Sequence, residues 1–365
     1  GNFSPEELPQ AVKFAHDHGV KCHVTVNTMP RNDEIARLPA YLEQLESAGV
    51  DALIVADLGA FMLAGKYAPC CERHISTQQS VANYACAQSW FDLGAKRVVL
   101  ARECSLEEIR TIRQRVDPKL EIETFGHGAM CVSYSGRCLL SNYMTGRDSN
   151  RGACAQPCRY QYALMEEKRP GEYFPVFEDE KGTYILNSRD MCTIDHLKDL
   201  MDVGIDCIKI EGRAKSAYYA AIVTGAYRHC IDDVAAGREI DPIWRDEVEH
   251  VSHRVYSTGF YYGQPGQYVE NSRYIRQWQI VARVEQCDET GLALCSLNNK
   301  FSAGDALEVV GPDVRPFAIP AEGMRDEEGT PLDEVRTPQS RFTLQLPKAV
   351  PPMSLLRRSV DLSAK

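Results

Sequence analysis

Short apolar runs alternate with helix-period segments over the first two-thirds of the chain, and this alternation constrains the fold more than any other feature. Helices are expected between the runs, and Ser105 with Glu108 predicts a capping box at the start of one of them. Strands that alternate with helices in this way form parallel β–α–β units. The predicted strands lie at residues 21–27, 51–57, 73–77, 96–102, 120–126, 182–188 and 205–212. The other predicted helices lie at residues 33–48, 58–67, 80–93, 193–201 and 216–236.

An α/β barrel is the architecture that this order of elements favours. A doubly wound sheet is the main alternative, but no glycine-rich nucleotide fingerprint follows any of the predicted strands. The stretch 131–181 interrupts the alternation, and long loops in compact domains are usually functional. The sequence therefore predicts a TIM-like (β/α) barrel over residues 1–263, which forms the catalytic domain and carries a cysteine-rich insertion at residues 131–181.

A different periodicity begins after residue 264. Apolar and polar residues alternate in four segments that are separated by turns, which is typical of antiparallel strands. These segments are residues 277–286, 291–299, 305–311 and 341–347. The sequence therefore predicts a small all-β barrel domain at residues 264–365.

The charge and the apolar content exclude several classes of protein. The 365 residues carry a net charge of −10, which argues against a protein that coats nucleic acid non-specifically. No apolar run reaches the ~18 residues of a membrane span, and the first residues do not resemble a signal peptide, so we expect a cytoplasmic protein. Locally, residues 137–159 carry four arginines against Asp148 alone. That cluster suits an anionic partner, although a solvated surface would have the same composition.

Four of the fourteen cysteines are spaced like a ligand set. In a reducing compartment a spaced cluster indicates a metal or catalysis rather than disulfides. The four residues follow the pattern Cys-x6-Cys-x15-Cys-x3-Cys: Cys131, Cys138, Cys154 and Cys158. Four thiolates are the usual complement of a [4Fe–4S] cluster. Tetrahedral zinc is the main competitor, and unrelated buried thiols are a third interpretation. Cys192 is a fifth candidate that could replace Cys158, but the sequence favours a core position for it at the start of a helix.

The segment Glu123–Ser141 resembles the signature of the U32 peptidase family, the collagenase-like proteases. The matching positions are Glu123, Phe125, Gly128, Ala129, Met130, Cys131, Gly136, Cys138 and Ser141. The stretches GRDSNRGACAQPCRY, FEDEKGTYILNSRD and IKIEGRAKS are also similar to this family, as is NKFSAGDALEV near the C-terminus. Within the family, the chain is most similar to the tRNA-uridine 5-hydroxylation proteins.

The resemblance implies a specific chemistry. It implies that the four cysteines bind an iron–sulfur cluster, and that the chain is an RNA-modifying enzyme that hydroxylates the wobble uridine of certain tRNAs without oxygen. Prephenate is the expected oxygen donor. Family relatives act on a 23S rRNA cytidine or in ubiquinone ring hydroxylation. The barrel of the family opens with a β–α–β unit that would precede Gly1, so we expect this chain to lack the first unit of the barrel.

Polar residues at the carboxyl ends of the predicted strands are candidates for the active site, because that end of a barrel carries catalysis. Arg102, Lys209 and Arg213 are cations that would hold a dicarboxylate such as prephenate, or would form internal salt bridges instead. The full set is Asn27, Asp57, Gln78, Arg102, Glu103, His127, Lys209, Glu211 and Arg213.

Within that set the predicted roles differ. We assign catalytic roles to His127, Arg102 and Glu211, with His127 as a proton donor or a partner of the cluster. Gln78 is assigned to substrate binding together with Lys209 and Arg213. A hydrogen-bonded structural histidine and a helix-capping glutamine are the corresponding structural interpretations.

Two rival functions remain open from the sequence. The first is a U32-type peptidase, although the chain has no HExxH and no GxSxG motif. The second is a non-enzymatic scaffold held together by zinc.

For the RNA-modifying function, tRNA is the expected partner. Arginines and aromatic residues occur together at residues 254–263 and 271–279. These side chains would stack on bases, or they would instead pack at the domain junction. Homodimerisation through the β domain is a further hypothesis.

Overall fold

A computed structural model describes residues 3–131, 133–160, 163–164, 171, 174–175, 189–266 and 274–360. Its contacts group the chain into two compact units. The first comprises residues 1–211 and 255–272, and the second comprises residues 212–254 and 273–365. Residues 216–236, which the sequence assigns to the barrel, therefore group with the β segment. The predicted division after residue 263 itself stays a prediction.

The first unit alternates strands and helices, as the sequence predicts. Its strands are β1 (His23–Val26), β2 (Ala52–Val55), β3 (Glu72–Ile75), β4 (Arg97–Val99), β5 (Glu121–Ala129), β6 (Ala163–Leu164), β7 (Phe174–Pro175), β8 (Asp190–Cys192), β9 (Cys207–Ile210) and β10 (Tyr256–Ser257). Its helices are α1 (Leu8–Asp17), α2 (Asn32–Ile35), α3 (Leu38–Ser47), α4 (Leu58–Tyr67), α5 (Tyr84–Asp92), α6 (Leu106–Arg115), α7 (Leu140–Thr145) and α8 (Leu197–Asp202).

The main sheet of this unit is mostly parallel. Strands β1 to β5 are neighbours in chain order, and each pairs with the next in parallel. Strand β9 extends the parallel pairing of β5. Strand β2 is buried at every position, as expected for a parallel strand covered on both faces. This confirms the predicted α/β class with a parallel sheet.

Two local predictions differ from the structure, and a third lies where the structure gives no description. Cys192 was expected to begin a helix, but it lies in β8, which pairs antiparallel with the end of β5. The helix predicted at residues 33–48 is two helices, α2 and α3, and the second begins with Pro39 in its first turn, where proline is tolerated. The strand predicted at residues 182–188 lies outside the described residues. The capping box of Ser105 and Glu108 is confirmed.

Closure of the sheet into a barrel stays a prediction. Among the described strands, the ladder runs from β1 to β5 and on to β8 and β10, with β9 beside β5. No described ladder joins β1 to β9 or β10. The mostly parallel sheet contributes to one core, in which Leu53, Val98 and Ile122 are fully buried.

Gly128 is the position in β5 where a side chain would do the most damage. Its φ is +114°, and a Cβ atom there would lie 2.4 Å from the carbonyl oxygen of Glu211. We expect Gly128→Ala to lower the free energy of unfolding by about 2 to 5 kcal/mol, from backbone strain and overpacking together. Urea unfolding followed by circular dichroism measures the change.

A matched control for this prediction is Gly225→Ala. Gly225 lies inside a helix, and a Cβ atom there would have no heavy atom within 4 Å. Alanine at that position should leave the stability unchanged or raise it by up to about 1 kcal/mol. Equal stability of the Gly128→Ala variant and the parent would show that β5 and the segment of Glu211 can separate without cost.

The second unit combines helices with an antiparallel sheet, which confirms a separate all-β segment. Its helices are α9 (Ala217–Ala235) and α10 (Pro242–Asp246). Its strands are β11 (Trp278–Cys287), β12 (Leu292–Leu297), β13 (Phe301–Ser302), β14 (Ala306–Gly311), β15 (Val314–Pro320), β16 (Glu334–Val335), β17 (Arg341–Gln345) and β18 (Leu355–Ser359). Six of them form one sheet in the order β15-β14-β18-β11-β12-β17. Phe301 and Phe342 lie in its core.

Arg357 sits at the centre of a buried charge cluster in this unit. Glu247, His250 and Glu308 lie close enough together to hold a metal ion. The Arg357 guanidinium occupies that position instead: it donates to Glu247 at 2.7 Å and lies 2.6 Å from Glu308 and 3.0 Å from His250 Nδ1. The guanidinium therefore supplies the positive charge that these side chains need.

Within the described residues, no helix combines the length and apolar character needed to cross a membrane.

Candidate iron–sulfur and substrate site

The four predicted cysteine ligands lie within residues 131–158, which follow β5 and form the cysteine segment. Cys131 comes after the end of β5, Cys138 precedes α7, and Cys158 lies in a short 3₁₀ helix at Pro157–Arg159. Cys131 and Cys154 are exposed, Cys138 and Cys158 are half-buried, and all fourteen cysteines are free of disulfide bonds. None of the four predicted ligands is therefore held in a disulfide or fully buried.

Two serines hold the halves of this segment together. Ser149 donates to the carbonyl oxygen of Cys138 at 2.6 Å. The buried hydroxyl of Ser141 accepts a hydrogen bond from the backbone N–H of Ala155 at 2.9 Å. The loop that carries Cys154 is thus tied to the helix that follows Cys138, although the two cysteines are separated by fifteen residues in the chain.

The chemistry of this donor set fits an iron–sulfur cluster. The Sγ atom of Cys154 accepts the backbone N–H of Gln156 at 3.3 Å, and N–H donors to sulfur are a means by which proteins tune cluster potentials. Four accessible thiols also fit zinc. The ligand set, and the choice between the two metals, stay predictions.

The buried cysteines outside this segment are suited to packing rather than ligation. Burial raises the pKa of Cys71 to about 11 and that of Cys104 to about 12. Burial together with the negative charge of Glu123 raises the pKa of Cys207 to about 11. These groups are neutral thiols at physiological pH, and the thiolate is the form that binds metal. Cys70 is exposed rather than packed in an apolar context.

Arg102 has the geometry of a binding group. Its guanidinium carbon lies 3.7 Å from the centroid of the Phe125 ring, and Nη1 donates to the carbonyl oxygen of Ala129 at 2.5 Å. Its Nε is buried and has no hydrogen-bond partner among the described residues. A buried donor without an acceptor requires an explanation, and a ligand carboxylate is one. The arginine is therefore oriented by an aromatic ring and a carbonyl, and within the described residues it forms no ion pair with a carboxylate.

Lys209 is paired with an acid inside the sheet. Its Nζ lies 3.0 Å from Glu123 Oε1, and Arg97 lies 2.8 Å from the other oxygen of the same carboxylate. Burial by itself would raise the pKa of Glu123, but the charge and hydrogen bond of Lys209, with those of Arg97, outweigh it and hold the pKa below its usual value. This geometry favours the internal salt bridge that the sequence left open. The predicted carboxylate-binding role of Lys209 stays a prediction.

His127 is fully buried within β5 rather than following it. Its Nε2 lies 3.4 Å from the hydroxyl of Tyr256, and its carbonyl accepts the N–H of Glu211 at 2.8 Å. His127 stands opposite Cys192 in the antiparallel ladder, so both side chains project from the same face of the sheet. A histidine and a tyrosine hydroxyl at this spacing are suited to pass a proton.

The remaining predicted site residues lie in different surroundings. Gln78 lies against Gly136 of the cysteine segment, since a Cβ atom at Gly136 would approach Gln78 Cγ to 2.9 Å. The side-chain oxygen of Gln78 is buried without a hydrogen-bond partner among the described residues. Glu211 is half-buried, and Arg213 is exposed and belongs to the second unit. Asp57 caps α4 by accepting the N–H of Ala60.

Part of the surface predicted to stack on tRNA is buried. Arg254 and Tyr261 are buried, and the Tyr261 hydroxyl donates to the carbonyl of Phe125. Tyr262 and Arg276 are exposed, whereas Arg273 lies outside the described residues. Packing within each unit, rather than base stacking, accounts for Arg254 and Tyr261.

Comparisons with known proteins bear on this site directly. The sequence model described as "Peptidase family U32" matches residues 1–271, and that described as "Peptidase family U32 C-terminal domain" matches residues 276–357. The chain belongs to peptidase family U32. Its signature segment is therefore the β5 strand together with the start of the cysteine segment.

The relatives of this U32 chain carry two kinds of name. "tRNA hydroxylation protein P1" of Bacillus subtilis is 38% identical over 98% of this chain and 86% of the relative. "tRNA hydroxylation protein P" of Escherichia coli is 37% identical over 85% of this chain and 78% of the relative. "Collagenase" of Porphyromonas gingivalis is 31% identical over 98% of this chain and 88% of the relative.

Two contacts in the U32 site were not predicted from the sequence. Phe125 lies under Arg102, and Tyr256 reaches His127. A signal existed for the first, because Phe125 belongs to the signature. Tyr256 lies in a two-residue strand that pairs with β8, and no local pattern distinguishes such a short strand from a turn.

Proposed function

We propose that this chain is an RNA-modifying enzyme that hydroxylates C5 of the wobble uridine in tRNA, with prephenate as oxygen donor and a [4Fe–4S] cluster bound by Cys131, Cys138, Cys154 and Cys158. The observation that carries the proposal is the similarity, over most of the chain, to two proteins named for tRNA hydroxylation. The accessible thiols of the cysteine segment support the cofactor.

The residues near the cysteines are suited to bind prephenate and the uridine base. In net terms the ring C5–H becomes C5–OH, which is a two-electron oxidation of the ring, while the C–OH bond of the donor breaks and the donor takes up hydrogen in its place and is reduced by two electrons. Arg102 holds a carboxylate of the donor through its Nε, which has no partner among the described residues. The ring of Phe125, which packs against the guanidinium group, fixes the orientation of that group. The amide of Gln78, beside the cysteine segment, offers a hydrogen bond to the donor or the base. A bound cluster would supply redox-active iron.

Proton transfer is the role that the proposal gives to His127. The imidazole is buried, and Tyr256 lies within reach of its Nε2. A buried histidine beside a tyrosine hydroxyl can hold the proton that leaves the ring carbon.

A peptidase is the second candidate, because one relative is named collagenase. Peptide hydrolysis needs an activated nucleophile or a metal-bound water. Among the described residues, the only three-residue metal-type cluster found is the one that Arg357 occupies. The thiols of the cysteine segment would serve as nucleophiles only if they were not ligands, so the two functions exclude each other at that segment.

One experiment separates the candidates. tRNA from cells that lack the modification is incubated without oxygen with the purified protein and prephenate, and its nucleosides are analysed by mass spectrometry. We expect 5-hydroxyuridine to appear only when both prephenate and protein are present. Cleavage of casein or gelatin by the same preparation, with no hydroxylated nucleoside, would overturn the proposal in favour of the peptidase. A colourless, inactive protein with one zinc would favour the scaffold.

A further inference from the structure

Helix α7 and the turn before it expose an unusual set of side chains. Tyr143 is 90% exposed, Leu139 is 73% exposed and Tyr134 is 45% exposed. Large apolar and aromatic side chains that cluster on a surface mark a binding site more often than a solvated face. We call Tyr134, Arg137, Leu139, Tyr143 and Arg147 the α7 surface.

The packing of α7 explains why these groups face solvent. Ser141 is buried and binds Ala155, so the helix is held from one side. Leu139 and Tyr143 are four residues apart and are joined by a backbone hydrogen bond of 2.9 Å. Residues at that spacing share a helix face, and this face is turned away from Ser141. The hydrogen bond between Ser141 and Ala155 therefore accounts for the exposure of Leu139 and Tyr143.

The charge of the segment is opposite to that of the chain. Residues 133–160 hold four arginines and one acidic residue, whereas the whole protein has a net charge of −10. Arg151 is occupied by Glu34, at 2.6 Å. Arg137 and Arg147 are exposed, and in the part of the chain that the structure describes neither forms an ion pair. Two exposed cations with no ion pair among the described residues thus lie within four residues of the exposed tyrosines along the chain.

We propose that the α7 surface binds an unpaired stretch of RNA next to the cysteine segment, with Tyr134 and Tyr143 stacking on bases and Arg137 and Arg147 contacting phosphates. Single-stranded RNA is recognised by this combination of aromatic faces and cations. Tyr134, Arg137 and Leu139 lie beside Cys138 in the chain, so a base stacked there reaches the segment that carries the proposed cluster. The inference rests on the proposed function and names the element that holds its substrate.

The test measures binding of the whole protein to two RNAs, a tRNA anticodon stem–loop and a blunt duplex of the same stem. The double variant Tyr134→Ala/Tyr143→Ala should bind the stem–loop about ten-fold or more weakly, with an unchanged salt dependence and unchanged duplex binding. The double variant Arg137→Gln/Arg147→Gln should lower the salt slope of stem–loop binding by about 1.4, at ~0.7 for each phosphate contact.

Matched controls lie elsewhere on the surface. Tyr41→Ala removes a tyrosine that is 44% exposed, and Arg336→Gln removes an arginine whose side chain is 75% exposed. Both should bind as the parent does. Tyr143→Phe keeps the ring and should retain stem–loop affinity. Iron content, measured on every variant, shows that the cysteine segment is intact.

The outcomes distinguish this inference from the function on which it rests. If the parent hydroxylates tRNA and the double tyrosine variant binds and hydroxylates it equally at sub-saturating RNA, the α7 surface is not the binding element. If light scattering shows a dimer that the tyrosine variant dissociates, the surface joins two copies, and the inference is overturned. A parent that neither binds nor hydroxylates tRNA removes both the function and the inference.

Discussion

Replacing Cys154 by serine should remove iron, acid-labile sulfide and visible absorption together from anaerobically purified protein. The parent is expected to hold about four irons and four sulfides, because four thiolates complete a cubane cluster. Loss of one thiolate exposes an iron to solvent, and Cys154 is itself an exposed residue. Hydroxylation of tRNA should fall below detection in the same variant. Metal analysis, sulfide analysis and the absorption spectrum measure the result.

Cys70 provides the control for this experiment. It is also exposed and free of a disulfide, but it lies between α4 and β3, outside the cysteine segment. Cys70→Ser should keep the iron and the colour of the parent. Retention of all the iron in Cys154→Ser would exclude Cys154 as a ligand. A parent with one zinc and no chromophore would contradict the redox chemistry altogether.

Arg102→Gln should weaken binding of prephenate by about 10- to 100-fold. A hydrogen bond to a charged group contributes about 1.5 to 3 kcal/mol, and glutamine keeps much of the length of the side chain but removes the charge and the fork of donors. Calorimetric titration of prephenate measures the loss, and KM for prephenate should rise with little change in tRNA affinity. Iron content should stay at the parent level, because Arg102 contacts Phe125 and Ala129 rather than a thiol.

The matched control is Arg110→Gln on α6. Arg110 is an exposed arginine paired with Glu107 at 2.6 Å, and surface pairs of this kind contribute little. It should titrate prephenate as the parent does. Unchanged prephenate affinity in Arg102→Gln, with a lower melting temperature, would instead mean that Arg102 only braces Phe125 against the end of β5.

The difference between Arg102 and Lys209 matters for the proposed mechanism. Both are cations at the carboxyl ends of strands, and the sequence could not rank them. In the structure, Lys209 neutralises the buried carboxylate of Glu123, whereas Arg102 contacts only a ring and a carbonyl. Removing Lys209 would take away one of the two cations that pair with the buried carboxylate of Glu123, so we expect its loss to lower stability whatever its role in binding.

Much of the fold was predictable because the relevant signals are local. The alternation of strands and helices predicted a parallel sheet, since hydrophobic periodicity is set by side chains a few residues apart. The capping box at Ser105 and Glu108 was visible for the same reason: its partners are three residues apart. The predicted strand at residues 120–126 ended before β5 does, since β5 continues to Ala129. Strand β8 was missed because a strand of three residues carries too short a pattern.

The candidate site was predictable only in part. The spacing of the cysteines identified the segment, and the rule for strand ends identified Arg102, His127 and Gln78. Burial of Arg254 and Tyr261, which removed them from the predicted RNA surface, depends on residues far away in the chain. The Tyr261 hydroxyl, for example, meets a carbonyl 136 residues earlier.

By itself, the sequence determined the α/β class and the family, and it predicted the set of thiols, because periodicity, signature and spacing are properties of neighbouring residues. Only the tertiary structure decided that Lys209 is neutralised by Glu123 while Arg102 is not, and that Tyr143 faces solvent while Tyr261 does not. Those outcomes depend on which distant groups meet in space. Burial and charge pairing act on atoms in contact, and the order of the residues does not specify which contacts form until the chain has folded.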